Sequence, residues 1–302
     1  MDSTACSGAM QNVCSAAAFL GCFALSTLCF PCRVRAAQPD VADVKFAQVG
    51  SRNLLLDIYQ PVNRSGPAPL VVWVHGGAWR AGTRASVPIT ELTDHGYAVA
   101  SVDYRLSVEA TFPAQVHDIK AAIRFLRANS DSYDFDPRQF TIAGASAGGH
   151  LAALVGVSNQ VDALEGAVGK DLKVSSDVQA IVSFYGASNL ETILSQSTPH
   201  GLSVRVPALQ MLLAGQPTNE PALARLASPV AHVDASDPPL LLIHGDQDPQ
   251  MPINQSHELH GAYLGVAASS SFHVVYGGAH GGRGFYESEM IRMDAAFLDE
   301  LK

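Results

Sequence analysis

The stretch that decides the fold is Phe140-Thr141-Ile142-Ala143-Gly144-Ala145-Ser146-Ala147-Gly148-Gly149-His150-Leu151-Ala152-Ala153-Leu154-Val155. Its first four residues read as a buried strand and its last five as a helix. Between them stands G-x-S-x-G, which joins strand to helix as a nucleophile elbow. So tight a turn forces the serine toward disfavoured backbone angles, and only small neighbours let strand and helix approach. The turn lifts the Ser146 hydroxyl out of the sheet. It also sets the unpaired N–H groups of a helix N-terminus beneath any negative charge that forms there. A Gly/Ala/Ser-rich turn shows the same letters by accident, so the rest of the chain must supply a base, a carboxylate and an oxyanion site.

The strands on either side frame this stretch. Residues 44–48 and 54–59, separated by Gly50-Ser51, read as an opening antiparallel hairpin. Residues 70–74, 97–102, 140–143, 178–185, 240–243 and 271–276 are apolar runs of strand length. Helical patterns lie between them at 85–94, 114–129, 253–264 and 285–301, and shorter pieces at 208–213 and 220–226. In residues 114–129 the apolar Val116, Ile119, Ala122, Ile123 and Leu126 recur at helical spacing. This alternation predicts an α/β fold: a mostly parallel, eight-stranded sheet with helices on both faces. Residues 37–302 read as one domain, with a cap-like insertion at 186–237 where a lid or a substrate wall would sit.

In such a sheet, ligands bind beyond the carboxyl ends of the strands. His75-Gly76-Gly77-Ala78-Trp79, the elbow, His244-Gly245-Asp246-Gln247-Asp248-Pro249 and Gly277-Gly278-Ala279-His280-Gly281-Gly282 all follow predicted strands. Their convergence gives each a candidate role. His280, in a glycine-rich loop, is the base. Asp248 is the preferred carboxylate, and Asp246 the alternative; an Asp after Gly also serves as a turn former. The N–H groups of Gly77, Ala78 and Ala147 are candidates for the oxyanion site, because Gly76-Gly77-Ala78 can turn consecutive N–H groups toward one point. His75 is expected to brace that loop. Trp79 lines the acyl pocket or packs in the core, and His150 packs at the start of the elbow helix.

Composition narrows the classes of function. The chain has 302 residues, 47% of them hydrophobic and 16% charged, as in a well-buried globular protein. A net charge of -9 without a basic stripe argues against nucleic acid as a partner. No H-E-x-x-H is present, and His257 and His260 read as a solvated helix face, so no metal and no cofactor is expected. All five cysteines, Cys6, Cys14, Cys22, Cys29 and Cys32, precede Arg33, which leaves the body without a disulfide or a thiolate nucleophile. Residues 16–30 are an apolar run of signal-peptide length, and Val34-Arg35-Ala36 resembles a cleavage site. Asp2 and the absence of Lys or Arg before the run fit a secretion signal poorly. The readings are a leader that exports the protein to the periplasm or medium, an N-terminal anchor that would bring membrane contact, and a start without function in a cytoplasmic protein.

The motifs together resemble the hormone-sensitive-lipase and carboxylesterase side of the α/β-hydrolases. The likeness is greatest to the feruloyl and acetylxylan esterase branch, related to kynurenine formamidases. It rests on His75-Gly76-Gly77-Ala78-Trp79, Asp103-Tyr104-Arg105-Leu106, Phe112-Pro113-Ala114-Gln115, Asp118-Ile119-Lys120-Ala121-Ala122, the elbow through Leu154, His244-Gly245-Asp246-Gln247-Asp248 and Gly278-Ala279-His280-Gly281. The order Ser, Asp, His is that of the superfamily. Ala78 stands where the lipase-like motif carries a third glycine, which favours the formamidase and feruloyl-esterase side. Gln250-Met251 replaces a small or aliphatic pair. The resemblance implies a serine carboxylesterase acting on a small-molecule ester, short-chain or aryl, through an acyl-enzyme. An aryl formamidase with the same triad is the alternative. A non-catalytic binding protein of this fold would usually have lost the serine or the histidine, and both are present here.

Overall fold

Uninterrupted apolar runs become the central strands, because a strand covered on both faces has no polar side to show. The computed structural model describes residues 38–62, 66–159, 161–282 and 284–301. The leader expected at 1–36 lies outside them. In chain order the elements are β1 (Val41–Val49), β2 (Arg52–Tyr59), β3 (Ala68–Val74), a 3-10 turn at Thr90–His95, β4 (Ala98–Val102), α1 (Ala114–Ala128), α2 (Ser130–Tyr133), β5 (Phe135–Ala145), α3 (Ala147–Gly156), α4 (Asp162–Glu165), β6 (Ala180–Phe184), α5 (Ile193–Gln196), α6 (Pro199–Leu212), α7 (Pro221–Leu226), a 3-10 turn at Pro229–Ala231, β7 (Leu240–Gly245), α8 (Asn254–Gly265), β8 (Ser270–Val275) and α9 (Ser288–Asp299).

The strands form one eight-stranded sheet in the order β1-β2-β4-β3-β5-β6-β7-β8. β1 with β2 and β2 with β4 pair antiparallel, and every other neighbour is parallel. Strand parity sorts the side chains into two cores. Val72 and Val74 of β3, Ile142 of β5 and Leu242 of β7 join one core with Val116 and Ile123 of α1, Leu151 and Leu154 of α3 and Leu259 of α8. Val71 and Trp73, Ala143 and Ala145, Val182 and Phe184 face the other core, with Leu92 and with Ile291 and Leu298 of α9. Each fully buried large aliphatic side chain in such a core is worth about 2–5 kcal/mol against truncation to alanine.

The helices differ from expectation where proline intervenes. Residues 85–94 are not an α-helix: a loop containing Pro88 leads into the 3-10 turn Thr90–His95. Proline disfavours helical angles in its predecessor. α6 instead begins well before the expected 208–213, and keeps Pro207 inside. Its start is secured by Thr198, whose Oγ1 accepts from the Gly201 N–H at 3.0 Å, with Pro199 in the first turn. Burial of Ala208, Leu209 and Leu212 offsets the hydrogen bond that Pro207 removes.

The order of the strands positions the site. β3 lies between β4 and β5, so the chain leaves β3 toward one side of the sheet and later returns to its other side. That reversal opens a crevice at the carboxyl ends of β3 and β5.

Candidate active site

The crevice floor is the turn from β5 into α3. Ser146 occupies it at φ 55 and ψ −117, a left-handed conformation that side-chain-bearing residues rarely take. Two backbone contacts hold it there. Its N–H donates to the Phe184 carbonyl of β6 at 2.9 Å, and its carbonyl accepts from the His150 N–H at 3.0 Å. The flanking glycines are required by space. A Cβ on Gly148 would lie 2.0 Å from the Val74 carbonyl oxygen, and one on Gly144 2.3 Å from that of Gly148. Strand, helix and β3 therefore meet backbone to backbone beneath the serine.

His280 and Asp248 arrive from the loops after β8 and β7. Gly245 lets those loops touch, since a Cβ there would fall 2.1 Å from the Gly278 carbonyl oxygen. His280 Nε2 lies 2.8 Å from Ser146 Oγ, and its Nδ1 lies 2.7 Å from Asp248 Oδ2. A carboxylate only accepts, so Nδ1 carries the proton and Nε2 offers its lone pair to the serine hydroxyl. Asp248 Oδ1 accepts from the N–H groups of Gln250 and Met251, both at 2.8 Å. Burial works to raise the Asp248 carboxyl. Hydrogen bonds from His244 and His280, the His280 charge and the Met251 N–H outweigh it and hold the group well below the usual carboxylate range. Asp246 does something else: it is exposed, and its Oδ1 accepts the Gly277 N–H at 2.6 Å. It shapes the turn and stays apart from the histidine.

His244 is a supporting residue that sequence reading passed over. It is fully buried, with Nε2 at 3.0 Å from the Met251 carbonyl and 3.4 Å from Asp248 Oδ2. Facing two acceptors, Nε2 must carry the proton, and Nδ1 accepts from the Ser256 hydroxyl at 2.7 Å.

The loop after β3 crosses over the elbow. A Cβ on Gly76 would meet the Ala145 carbonyl at 2.8 Å and Ser146 Cβ at 3.4 Å. Gly77, Ala78 and Trp79 all have positive φ, at 118°, 52° and 60°. Among the described residues, the N–H groups of Gly77, Ala78 and Ala147 donate to no protein acceptor. His75 braces this loop from below: its ring stacks on Tyr104 at 4.5 Å, and Tyr104 Oη donates to the His75 carbonyl at 2.9 Å. Burial lowers the pKa of His75, against the Gly76 carbonyl and Asp103.

A cavity of about 590 Å³ opens on Ser146 and His280. Its walls correct two expectations. Trp79 does not line it: the indole is fully buried in the core. Trp73 lines it instead, and its Nε1 donates to the Ser86 carbonyl at 2.7 Å, fixing the wall formed by Ser86, Val87 and Pro88. The segment 186–237 contributes no lining residue either. Its Leu190, Ile193, Leu209, Leu212 and Ala224 belong to the core. Thr198 Oγ1 donates to the Pro249 carbonyl at 2.5 Å, and Arg205 donates to that of Gln250, so the segment clamps the loop that carries Asp248.

Tyr185 and Tyr286 continue the Trp73 wall, with hydroxyls 2.5 Å apart, and Tyr185 stands edge-on to the His280 ring at 4.8 Å. Tyr185 follows β6 directly, a strand-end position that could have marked it. Among the described residues no group of His, Cys, Asp and Glu could hold a metal ion.

The comparisons agree with this architecture. The BD-FAE family matches residues 56–263. Esterase LipC of Mycobacterium tuberculosis is 33% identical over 238 residues, covering 76% of this chain and 57% of its own length. Isoprenylcysteine alpha-carbonyl methylesterase ICME of Arabidopsis thaliana is 31% identical over 231 residues, covering 74% of this chain and 52% of its own. The chain thus spans little more than half of these curated relatives. A solved structure described as a truncated form of carbohydrate esterase from gut microbiota superimposes with a TM-score of 0.79 at 34% identity, covering 86% of this chain and 95% of that one. With the elbow, the sheet order and the family match in agreement, the chain belongs to the BD-FAE family and has the α/β-hydrolase fold.

Proposed function

We propose that the protein hydrolyses short-chain or aryl carboxylic esters through a Ser146 acyl-enzyme. The observation that carries this reading is the unbroken path from Ser146 Oγ through His280 to Asp248, with steps of 2.8 and 2.7 Å at the mouth of the cavity. His280 Nε2 takes the serine proton as Oγ adds to the ester carbonyl carbon. Asp248 keeps the imidazole in the tautomer that can accept, and stabilises the imidazolium that forms. The carbonyl oxygen, now negative, is held by the N–H groups of Gly77, Ala78 and Ala147. When the tetrahedral adduct collapses, its C–O bond breaks and the imidazolium gives its proton to the leaving alcohol. Water, deprotonated by His280, then attacks the acyl-enzyme. The acid leaves and the serine regains its proton.

A ring-lined wall of Trp73, Tyr185 and Tyr286 suits a flat acyl or leaving group. The carbohydrate esterase structure supports sugar-bound esters as physiological substrates, and ICME supports a methyl ester. Hydrolysis of p-nitrophenyl acetate by the wild type, and its loss in Ser146→Ala by about 10³-fold or more, is the test of the reading. An inert wild type, or an equally active Ser146→Ala, refutes it. A panel of longer acyl esters, methyl ferulate and formyl-kynurenine separates ester from formamide preference.

A further inference from the structure

Two residues of the signature motifs have no part in the steps above: Trp79, at the end of the loop after β3, and His150, four residues beyond the serine. They touch each other. The indole Nε1–H of Trp79 donates to His150 Nδ1 at 3.0 Å, and the rings meet edge to face at 5.3 Å and 89°. His150 Nε2 reaches the Ala227 carbonyl at 2.7 Å. These partners determine the tautomer. An indole N–H only donates and a carbonyl only accepts, so the proton sits on Nε2 and the Nδ1 lone pair meets the indole. Both side chains are fully buried. Burial pushes the His150 pKa down to about 4, the Ala227 carbonyl opposing, so the ring stays neutral as this arrangement requires.

The bond spans the two halves of the oxyanion site. Gly77 and Ala78 supply one half from the loop, and Ala147 supplies the other from the first turn of α3, the helix that also carries His150. The loop half is the one in need of restraint. Ala78 and Trp79 are consecutive non-glycine residues at positive φ, and no regular element encloses them. Trp79 is held at two points, by the Ser107 N–H on its carbonyl at 2.7 Å and by His150 on its indole.

We propose that the Trp79–His150 hydrogen bond is a positioning device: it fixes the N–H groups of Gly77 and Ala78 in register with that of Ala147. The proposal rests on the esterase reading. A purely structural Trp79 would affect the folded state and leave the transition state alone, and this difference is measurable.

The informative variant replaces Trp79 with β-(3-benzothienyl)alanine, in which sulfur stands for the indole N–H at nearly unchanged size. Trp79→Phe and His150→Phe accompany it. Steady-state kinetics on p-nitrophenyl acetate are read beside inhibition by an alkyl boronic acid, whose serine adduct mimics the tetrahedral intermediate. Losing an oxyanion donor costs about 10²–10³ in kcat; a misaimed donor costs less, so kcat should fall about tenfold. KM should stay within about twofold, because ground-state binding does not use the donors fully. Boronate affinity should fall in parallel with kcat. The double variant Trp79→Phe/His150→Phe should lose no more than the worse single one. If the benzothienyl variant keeps wild-type kcat and boronate affinity, whatever its melting temperature, the proposal is overturned and Trp79 is core packing only. A wild type inert toward the ester overturns the esterase reading and this proposal together.

Discussion

Replacing Asp248 with asparagine tests the triad at its most constrained point. The side chain keeps its shape, and the structure dictates which way the amide faces. Oδ1 accepts from two backbone N–H groups, those of Gln250 and Met251, at 2.8 Å each. An NH₂ group there would set donor against two donors, so the amide oxygen must take that place. The NH₂ then falls where Oδ2 was, 2.7 Å from His280 Nδ1. It can only donate, so Nδ1 must accept and the proton moves to Nε2. Nε2–H then points at Ser146 Oγ and cannot take its proton. A mis-set tautomer in an otherwise intact triad lowers kcat by roughly 10⁴, or about 5.4 kcal/mol of transition-state stabilisation. KM should barely move, since no cavity wall has changed. The amide also meets the Nε2–H of His244 across 3.4 Å, so the melting temperature should fall as well. The assay is single-turnover acylation by p-nitrophenyl acetate, in which the nitrophenolate burst should slow by the same factor. Asp248→Asn with more than about a tenth of wild-type kcat would refute the assignment of acid and tautomer alike.

Asp246→Ala should keep kcat within about threefold and lose about 1 kcal/mol of stability, because among the described residues that carboxylate accepts from the Gly277 N–H and does not reach His280; a larger kcat loss would return the acid role to Asp246. Asp294 on α9 is buried, its Oδ1 has no partner among the described residues, and burial raises its pKa well above the usual value. Its folded pKa lies above the unfolded one, so the stability it contributes is complete below the unfolded pKa and fades as pH climbs through the folded one. Asp294→Asn removes that titration: the variant should gain in melting temperature relative to wild type as pH goes from 5 to 8, and a gap independent of pH would contradict the burial argument.

The sheet was legible because its interior strands declare themselves. In β3 to β7 both faces are covered, so Leu70 to Val74 or Leu240 to Ile243 need no periodicity to be read. The edges were less clear: β1 is largely exposed and runs longer than its weak alternation suggested. The loops that carry Ser146, Asp248 and His280 were visible as strand-end motifs, and they do meet at one point. The cavity walls were not. Trp79 sits in a motif that suggests a pocket role, whereas Trp73 sits in a strand, where only parity assigns it to the face opposite Val72 and Val74. The irregular pattern of segment 186–237 suggests a lid or a substrate wall. Irregularity marks a segment without period, and here its apolar residues reach the core while Arg205 and Thr198 reach the loop after Asp248.

Backbone strain shows why the glycines and the buried polar pairs of this site belong together. Of the eight non-glycine residues at positive φ among the described residues, Ala78, Trp79, Ser146 and Tyr185 follow the carboxyl ends of β3, β5 and β6, and all but Trp79 line the cavity. Each such residue costs on the order of 1–3 kcal/mol, so the group withdraws an appreciable part of a domain's net stability. Three of the four are held at more than one point. Ser146 is tied to Phe184 and His150, Tyr185 to the Ile243 carbonyl at 2.7 Å and to the Tyr286 hydroxyl, and Trp79 to Ser107 and His150. The glycines let these anchors approach: Gly148 under the Val74 carbonyl, Gly281 against the Tyr185 hydroxyl, where a Cβ would lie 2.8 Å away. Strained backbone held by several contacts suits the proposed oxyanion donors, which would then need no reorganisation as charge appears on the substrate oxygen.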